Sequence, residues 1–343
     1  MKNRGLQELR GISFLCIFLF HSGVLSSFFS NLAVSIFFVM SGLLSYNHYV
    51  YESCHKWSLK TSFQYAINRI KRLYPLHIAM MLLMIFRLFI LFSKNHILSE
   101  NLLSIFIQTI LNTFLIQDWS PRYACSLNGP SWFLSACFFI YLLLPLTLSY
   151  FKQKEKFIFS LFPLLLLFQI ISSLFVASTF GYDSEFYIWY IYLNPLSRYV
   201  DVLGGISLGY FLENFASCTK RLVMSSSILT PTLSILIYLL SKQDFSSLYM
   251  HVLANPTSLY NVLAVGVVLI FYSIKNTHLI LFEKLGNISP NLFLIHNVII
   301  AFLNSARGFL NLEHKYNLLF CFISFPACLV ANSLFALICM KRK

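Results

Sequence analysis

The stretch "ELRGISFLCIFLFHSG", residues 8–23, opens the first apolar segment of the chain and carries Arg10 at its start and His21 eleven residues later. Eleven residues of α-helix make three turns plus about 20°, so the two side chains share one helix face, about 16 Å apart. Arginine is tolerated at the headgroup level of a bilayer, whereas an ionisable side chain deeper in the membrane indicates function. The spacing therefore predicts a membrane helix with Arg10 at the cytoplasmic edge and His21 near mid-membrane.

The composition is that of a membrane protein. The 343 residues are 58% hydrophobic and 11% charged, which is too much apolar surface for a water-soluble domain of this size. Because about 20 apolar residues cross a bilayer as a helix, we predict an all-α polytopic membrane protein that forms a single membrane-embedded domain over residues 1–343, with no appended soluble domain. Its ten transmembrane helices are predicted near 11–29, 32–50, 73–93, 131–150, 157–178, 186–214, 223–240, 257–273, 289–306 and 317–339.

Two segments depart from a simple membrane span. The sixth span is overlong and contains Asn194-Pro195; a proline inside a helix kinks or breaks it, so we expect a kinked helix or two half-helices here. Segment 101–117 is apolar but short, and it contains Asn and Gln. It is predicted to be interfacial or re-entrant.

The distribution of basic residues predicts the orientation. With the N-terminus in the cytoplasm and ten crossings, eighteen of the 25 lysines and arginines fall in inner segments and five in outer ones, while Arg87 and Arg198 lie within spans. This asymmetry agrees with the positive-inside rule and predicts that both termini are cytoplasmic. The net charge of +13 is then largely a consequence of topology. We expect the lipid bilayer as a partner and no nucleic acid.

Several classes of protein are excluded by missing motifs. The eight cysteines show no CxxC pair and no Cys/His cluster with metal-ligand spacing, so neither a metal site nor a disulfide framework is predicted. The chain contains no GxxxxGK[ST] or GxGxxG motif. Nucleotide-driven and dinucleotide-binding activities are therefore not expected.

The inner segment "INRIKRLYPLH", residues 67–77, carries a second basic group. Arg69 and Arg72 are three residues apart and would share one face of a helix. Such a cluster is typical of a topology anchor, and paired guanidinium groups are also suited to the phosphates of a nucleotide-bearing cofactor.

Several stretches, in this order and spacing, resemble the acyltransferase 3 family of integral membrane acyltransferases. The resemblance runs over essentially the whole chain, from residue 6 to about residue 339. It rests on "LRGISFLCIFLFH", "SIFFVMSGLL", "NRIKRLYPLH", "GPSWFLSACFFIYLLLP" (129–145), "SRYVDVLGGISLGYFLE" (197–213) and "LGNISPNLFLIHNVII" (285–300).

The resemblance implies an enzyme, an O-acyltransferase that moves an acyl group, commonly acetyl from acetyl-CoA, onto a hydroxyl of a polysaccharide or another acceptor. It assigns catalytic roles to Arg10 and His21 and binding of the acyl-CoA donor to Arg69 and Arg72. Many members carry a glutamate in the motif after the tryptophan, where this chain has Cys137, so a carboxylate role does not transfer to that place.

Further polar residues within the spans are candidates for binding the acceptor, each with a structural alternative. Arg198 and Asp201, at i and i+3, would form a buried ion pair that either holds the helices together or lines the acceptor path. His296 could contact substrate or hydrogen-bond a neighbouring helix. Ser41 lies beside Gly42, where small residues allow close helix packing. The indole of Trp132 could position the acceptor or stabilise the oxyanion.

These features predict transfer of an acyl group, acetyl in the simplest case, from cytoplasmic acyl-CoA to a cell-surface glycan or a lipid-linked glycan precursor. The resemblance, and the absence of eukaryotic targeting signals, indicate the cytoplasmic (inner) membrane of a bacterium. Two alternatives stay open from the residues alone. A ten-span protein with a broken helix and buried charges could transport or flip a lipid-linked sugar, and a scaffold in polysaccharide assembly would not need His21.

Overall fold

The computed structural model describes residues 3–51, 58–153, 155–240, 257–274, 279–309 and 317–340. Over these ranges the chain is helical and contains no strand. The helices are α1 (Arg4–His21), α2 (Ser27–Tyr51), α3 (Leu59–Ile70), α4 (Tyr74–Lys94), α5 (Leu98–Thr113), α6 (Trp132–Gln153), α7 (Glu155–Phe180), α8 (Glu185–Ile188), α9 (Pro195–Asn214), α10 (Ala216–Leu240), α11 (Thr257–Ser273), α12 (Ile280–Phe309) and α13 (Asn317–Met340).

A helix lies at each of the ten positions predicted to span the membrane, and the all-α, multi-pass architecture is confirmed. Six described stretches are long and apolar enough to cross a bilayer. They are Ser27–His48, Tyr74–Lys94, Gly129–Tyr150, Leu161–Phe180, Ile280–Arg307 and Phe320–Ile338. The full count of ten crossings and the cytoplasmic location of the termini stay predictions.

The remaining four helices have less apolar character for identifiable reasons. Helix α1 carries Arg4, Glu8 and Arg10, and α9 carries Arg198 and Asp201. These charged side chains lower the hydropathy of helices that the rest of the bundle nonetheless covers. The apolar parts of α10 and α11 are shorter, Arg221–Leu236 and Leu259–Ser273.

The first helix begins and ends earlier than its hydropathy suggested. Asn3 caps it, its side chain accepting a hydrogen bond from the backbone N–H of Leu6 at 3.1 Å. His21 is its last residue, and a turn containing Gly23 at φ +76° follows. The helix therefore begins seven residues and ends eight residues before the predicted span 11–29, a displacement of about two turns. His21 lies at the end of the helix, and its depth near mid-membrane stays a prediction.

The predicted break in the sixth span is confirmed. Helix α8 runs into a π-helical turn, Trp189–Leu193, and α9 then begins at Pro195. The side chain of Asn194 caps the new helix by accepting a hydrogen bond from the N–H of Leu196 at 2.8 Å. Proline at the first helical position lacks only an N–H that would have no intrahelical partner.

Glycines allow two helix pairs to pack backbone against backbone. A Cβ on Gly286 of α12 would overlap the carbonyl oxygen of Gln7 in α1, and a Cβ on Gly11 would overlap that of Phe282. Gly205 of α9 meets α2 in the same way. Such close approach increases van der Waals contact where lipid offers no hydrophobic driving force, and it aligns α1 with α12 and α2 with α9.

Helix α5 returns along α4 and leads into a buried loop. The Tyr74 hydroxyl, at the start of α4, donates to the carbonyl of Thr113 at 2.8 Å, and the His77 ring lies 3.0 Å from the carbonyl of Asn112. The end of α5 therefore lies at the level where α4 begins, and the interfacial or re-entrant character of segment 101–117 stays a prediction. Non-helical backbone at such a depth needs cover from protein, and fully buried polar side chains hold the loop: Gln117, Asp118, Asn128 and Ser131.

Replacing Gly286 with alanine should lower the thermal unfolding midpoint of the detergent-solubilised protein. The added Cβ would overlap the Gln7 carbonyl oxygen, and such overpacking costs about 1–3 kcal/mol. Gly129→Ala is the matched control, since its Cβ would meet only Asn297 Nδ2 at 3.8 Å. Equal midpoints for the two variants would show that the α1–α12 contact is looser than the structure has it.

Orientation can be tested with cysteines at two exposed positions, Lys71→Cys between α3 and α4 and Asp183→Cys between α7 and α8. The charge distribution predicts that Lys71 is cytoplasmic and Asp183 external. In intact cells a membrane-impermeant maleimide should label the second cysteine and not the first, as mapped by peptide mass spectrometry. Labelling of both from one face would overturn the predicted topology.

Candidate active site

A cavity of about 320 Å³ lies between α1, α2, α3, α6 and α12. It opens to the surface at the end formed by His48 and Arg69, whose side chains are exposed. Its polar wall consists of Arg10, Ser41, Ser45, His48, Arg69, Cys137, Tyr141 and Ser289. Among the residues that the structure describes, no Asp or Glu lines it, so this lining is cationic.

Arg10 and Arg69 reach this cavity from different helices. Arg10 comes from α1 and Arg69 from the last turn of α3, where its guanidinium lies 5.0 Å from the ring centre of Tyr65. Guanidinium groups bind phosphate through paired N–H donors and stay charged at any physiological pH. The structure therefore brings two of the predicted functional arginines together at one site with the chemistry of an anion receptor.

The structure does not bring Arg72 to the cavity, so its prediction as a donor-binding residue finds no support in the geometry. Helix α3 ends at Ile70 and α4 begins at Tyr74. Arg72 therefore lies in the turn between them, where its side chain is exposed. The expectation that Arg69 and Arg72 share a helix face fails because no single helix contains both.

Tyr141 is a cavity residue that no sequence motif indicated. Its hydroxyl is within hydrogen-bonding reach of Ser41 on α2 and Cys137 on its own helix, and all three line the cavity. Ser41, a predicted acceptor-binding candidate, is thus a cavity residue. The only available signal for Tyr141 was a hydroxyl four residues after Cys137 in an otherwise apolar helix, a pattern that many membrane helices share.

Three phenylalanines close the inner end of the cavity. Phe37, Phe133 and Phe293 all line it, and each ring contacts the other two, with centroid distances of 6.1 Å, 6.4 Å and 5.0 Å. Phe293 also contacts His296, at 5.8 Å between centroids. We refer to these three rings as the aromatic barrier. Through Phe293 it connects the cavity wall to His296, which Phe14 of α1 also contacts, at 5.9 Å between centroids.

His21 and His296 form a pair behind the aromatic barrier. Their ring centroids are 5.0 Å apart. His296 is completely buried, and its Nδ1 lies 3.2 Å from the Leu292 carbonyl oxygen, which can only accept. Nδ1 therefore carries the proton, and Nε2 is a buried acceptor with no hydrogen-bond partner. His21 is exposed, so the pair is open on the side away from the barrier.

The predicted ion pair between Arg198 and Asp201 is present but lies apart from the cavity. Arg198 is 1% exposed, and its Nη1 donates to Asp201 Oδ2 at 2.7 Å and to Ser35 Oγ at 3.1 Å. Its guanidinium also lies 4.6 Å from the ring centre of Tyr192 and 6.0 Å from that of Trp132. Trp132, Arg198 and Asp201 do not line the cavity. The geometry favours the structural alternative, in which they hold α9 against α2 and α6.

The described residues include no group of three or more His, Cys, Asp or Glu side chains placed to hold a metal ion. The positively charged cavity, the aromatic barrier and the histidine pair are the candidate functional features of the bundle.

A family model described as an acyltransferase domain, that of the acyltransferase 3 family, matches residues 3–336. The chain belongs to the acyltransferase 3 family. No curated protein and no solved structure matches it. The cavity, the barrier and the histidine pair are therefore features of a membrane acyltransferase, and they extend across the region that the family model covers.

The sequence predicts coenzyme A as the carrier of the donor; Arg69→Ala should then weaken its binding, whereas Arg72→Ala should have a smaller effect. Losing one charged hydrogen-bonding partner costs about 1.5–3 kcal/mol, or roughly ten- to a hundredfold in affinity. Arg69→Lys should restore binding only in part, because a point charge replaces a two-pronged donor. The measurement is the shift of thermal midpoint with added coenzyme A. If Arg72→Ala weakened coenzyme A binding more than Arg69→Ala did, the assignment of the cavity as the donor site would be wrong.

Proposed function

We propose that this acyltransferase transfers an acetyl group from cytoplasmic acetyl-CoA to a hydroxyl of a cell-surface glycan or its lipid-linked precursor, in the inner membrane of a bacterium. One observation carries the proposal: α1 presents Arg10 to an open cationic cavity and, one barrier away, His21 to a second imidazole. Membership of an acyltransferase family leaves the alternative of a lipid-linked-sugar transporter without support.

Coenzyme A would bind with its phosphates at the open end of the cavity. Arg10 and Arg69 supply the positive charge there, and no carboxylate of the lining competes for it. The uncharged pantetheine arm would extend inwards along the apolar wall formed by Leu44, Leu134 and Leu294. This orientation directs the thioester towards the aromatic barrier and His21.

His21 would act as the general base. As the acceptor hydroxyl oxygen bonds to the thioester carbonyl carbon, its proton passes to a ring nitrogen of His21. When the tetrahedral intermediate collapses, the C–S bond breaks and the sulfur leaves with the bonding electrons. The imidazolium then returns the proton to that sulfur, so the products are the acyl ester and the free thiol of coenzyme A.

His296 would assist by fixing the protonation state of His21. Since its own Nδ1–H is directed to the Leu292 carbonyl, the Nε2 of His296 can accept an N–H from His21. A hydrogen bond of this kind selects one tautomer of His21 and leaves the other nitrogen free as the base. It also stabilises the positive charge that His21 acquires during the reaction.

The acceptor would approach from the side opposite to the donor. His21 is exposed at the end of α1, which the charge distribution predicts to be the external end. A polysaccharide hydroxyl, or that of a lipid-linked precursor assembled at the outer surface, could reach His21 there without entering the cavity.

His21→Ala should abolish acyl transfer while leaving insertion and coenzyme A binding intact, because it removes the base and no contact of the cavity. Mass spectrometry of surface glycan should show loss of the acetyl-sized mass difference, and the thermal shift with coenzyme A should persist. His96→Ala, at an exposed position outside the cavity, is the matched control and should keep the modification. Normal acetylation by the His21 variant would show that His21 is not the catalytic base.

A further inference from the structure

The aromatic barrier lies between the two halves of the proposed reaction. The cavity reaches it from the open end at Arg69, and His296 contacts it from the other side through Phe293. A group carried from the cavity to His21 past His296 would move along Phe293 and the two rings in contact with it. The acyl group passes first, since it forms the tip of the donor arm.

Three contacting phenylalanine rings make a selective passage. They offer no hydrogen bond to a polar group, so a charged acyl group would lose its hydration there without compensation. The rings come from three different helices, Phe37 from α2, Phe133 from α6 and Phe293 from α12. Small rotations of these side chains would admit a slender chain, whereas a bulky group would require the helices to separate, which close packing resists.

We propose that Phe37, Phe133 and Phe293 form a gate that restricts the donor to short, narrow and uncharged acyl groups. This inference rests on the proposed function in taking acyl-CoA as the donor. It identifies the substrate class by what can pass between the rings: acetyl and similar small acyl groups, and neither dicarboxylic acyl groups such as succinyl nor bulky aromatic ones such as benzoyl.

The first test compares three donors, acetyl-CoA, succinyl-CoA and benzoyl-CoA, with purified protein and isolated glycan. The wild type should transfer acetyl and use the other two at least about tenfold less well. Phe133→Ala and Phe293→Ala should raise the benzoyl-to-acetyl ratio about tenfold, and Phe133→Leu should raise it less. Phe325→Ala is the matched control, because that ring contacts Phe18 at 5.2 Å and does not line the cavity.

The second test does not depend on acyl transfer. His296→Cys places a thiol behind the barrier, and Cys137 lines the cavity in front of it. A water-soluble methanethiosulfonate reagent applied to the cytoplasmic side of inverted vesicles should label Cys137 quickly and position 296 slowly. Adding Phe133→Ala should speed labelling at position 296 at least about tenfold relative to Cys137, as resolved by peptide mass spectrometry.

The two tests separate the gate from the proposed function. If no donor is used by the wild type but Phe133→Ala opens access to position 296, the acyl-transfer proposal fails and the barrier stands. If acetyl is transferred but neither donor selectivity nor labelling changes in the phenylalanine variants, the gate is overturned. Thermal midpoints and coenzyme A binding of each variant verify that it is folded, and Phe133→Leu keeps the test decisive should either alanine variant fail to fold.

Discussion

The backbone contact between α1 and α12 determines where the catalytic candidates lie. Gly11 and Gly286 bring the two helices so close that a Cβ on either would overlap the other backbone. That contact sets one register along their shared length, so the same alignment that places Arg10 in the cavity also places His21 against His296. Any movement that pushed α12 away from α1 would disturb the cavity wall and separate the two imidazoles together.

The buried charges of α9 require that its neighbours cover it. Arg198 is almost completely buried because Asp201, Ser35 and the Tyr192 carbonyl accept its hydrogen bonds. An ionised side chain facing lipid would have no such partners. The most uniformly apolar stretches show the opposite behaviour: only 17% of the Leu161–Phe180 window and 22% of the Phe320–Ile338 window lie inside the bundle. These two helices thus lie at the periphery, whereas the uncharged Ser27–His48 stretch of α2 is 61% inside the bundle because it packs against α9.

The sequence predicts helix positions well because the bilayer sets their length, and it predicts the break before α9 because Pro195 has local consequences. The position of His21 along its helix is harder to predict, because the apolar run continues past His21 and only the turn after it ends the helix. Contacts between distant segments are harder still. The spacing of Arg69 and Arg72 gives no sign that a helix ends between them. Nothing near Tyr141 in the chain shows that it faces Ser41 on another helix.

The proposed reaction binds the donor at the cavity and places the base, His21, at a separate position. This separation suits a donor that carries several phosphates. Moving those charges into the bundle would remove the phosphates from water. Two arginines would not offset the free-energy cost of that desolvation in a low-dielectric interior. With the phosphates held at the open end of the cavity, only the uncharged arm needs to enter. Arg10 and His21 lie about 16 Å apart along one helix, a gap that a flexible arm can cross. In the proposed reaction the acyl group alone then changes sides, and the charged carrier stays where it was bound.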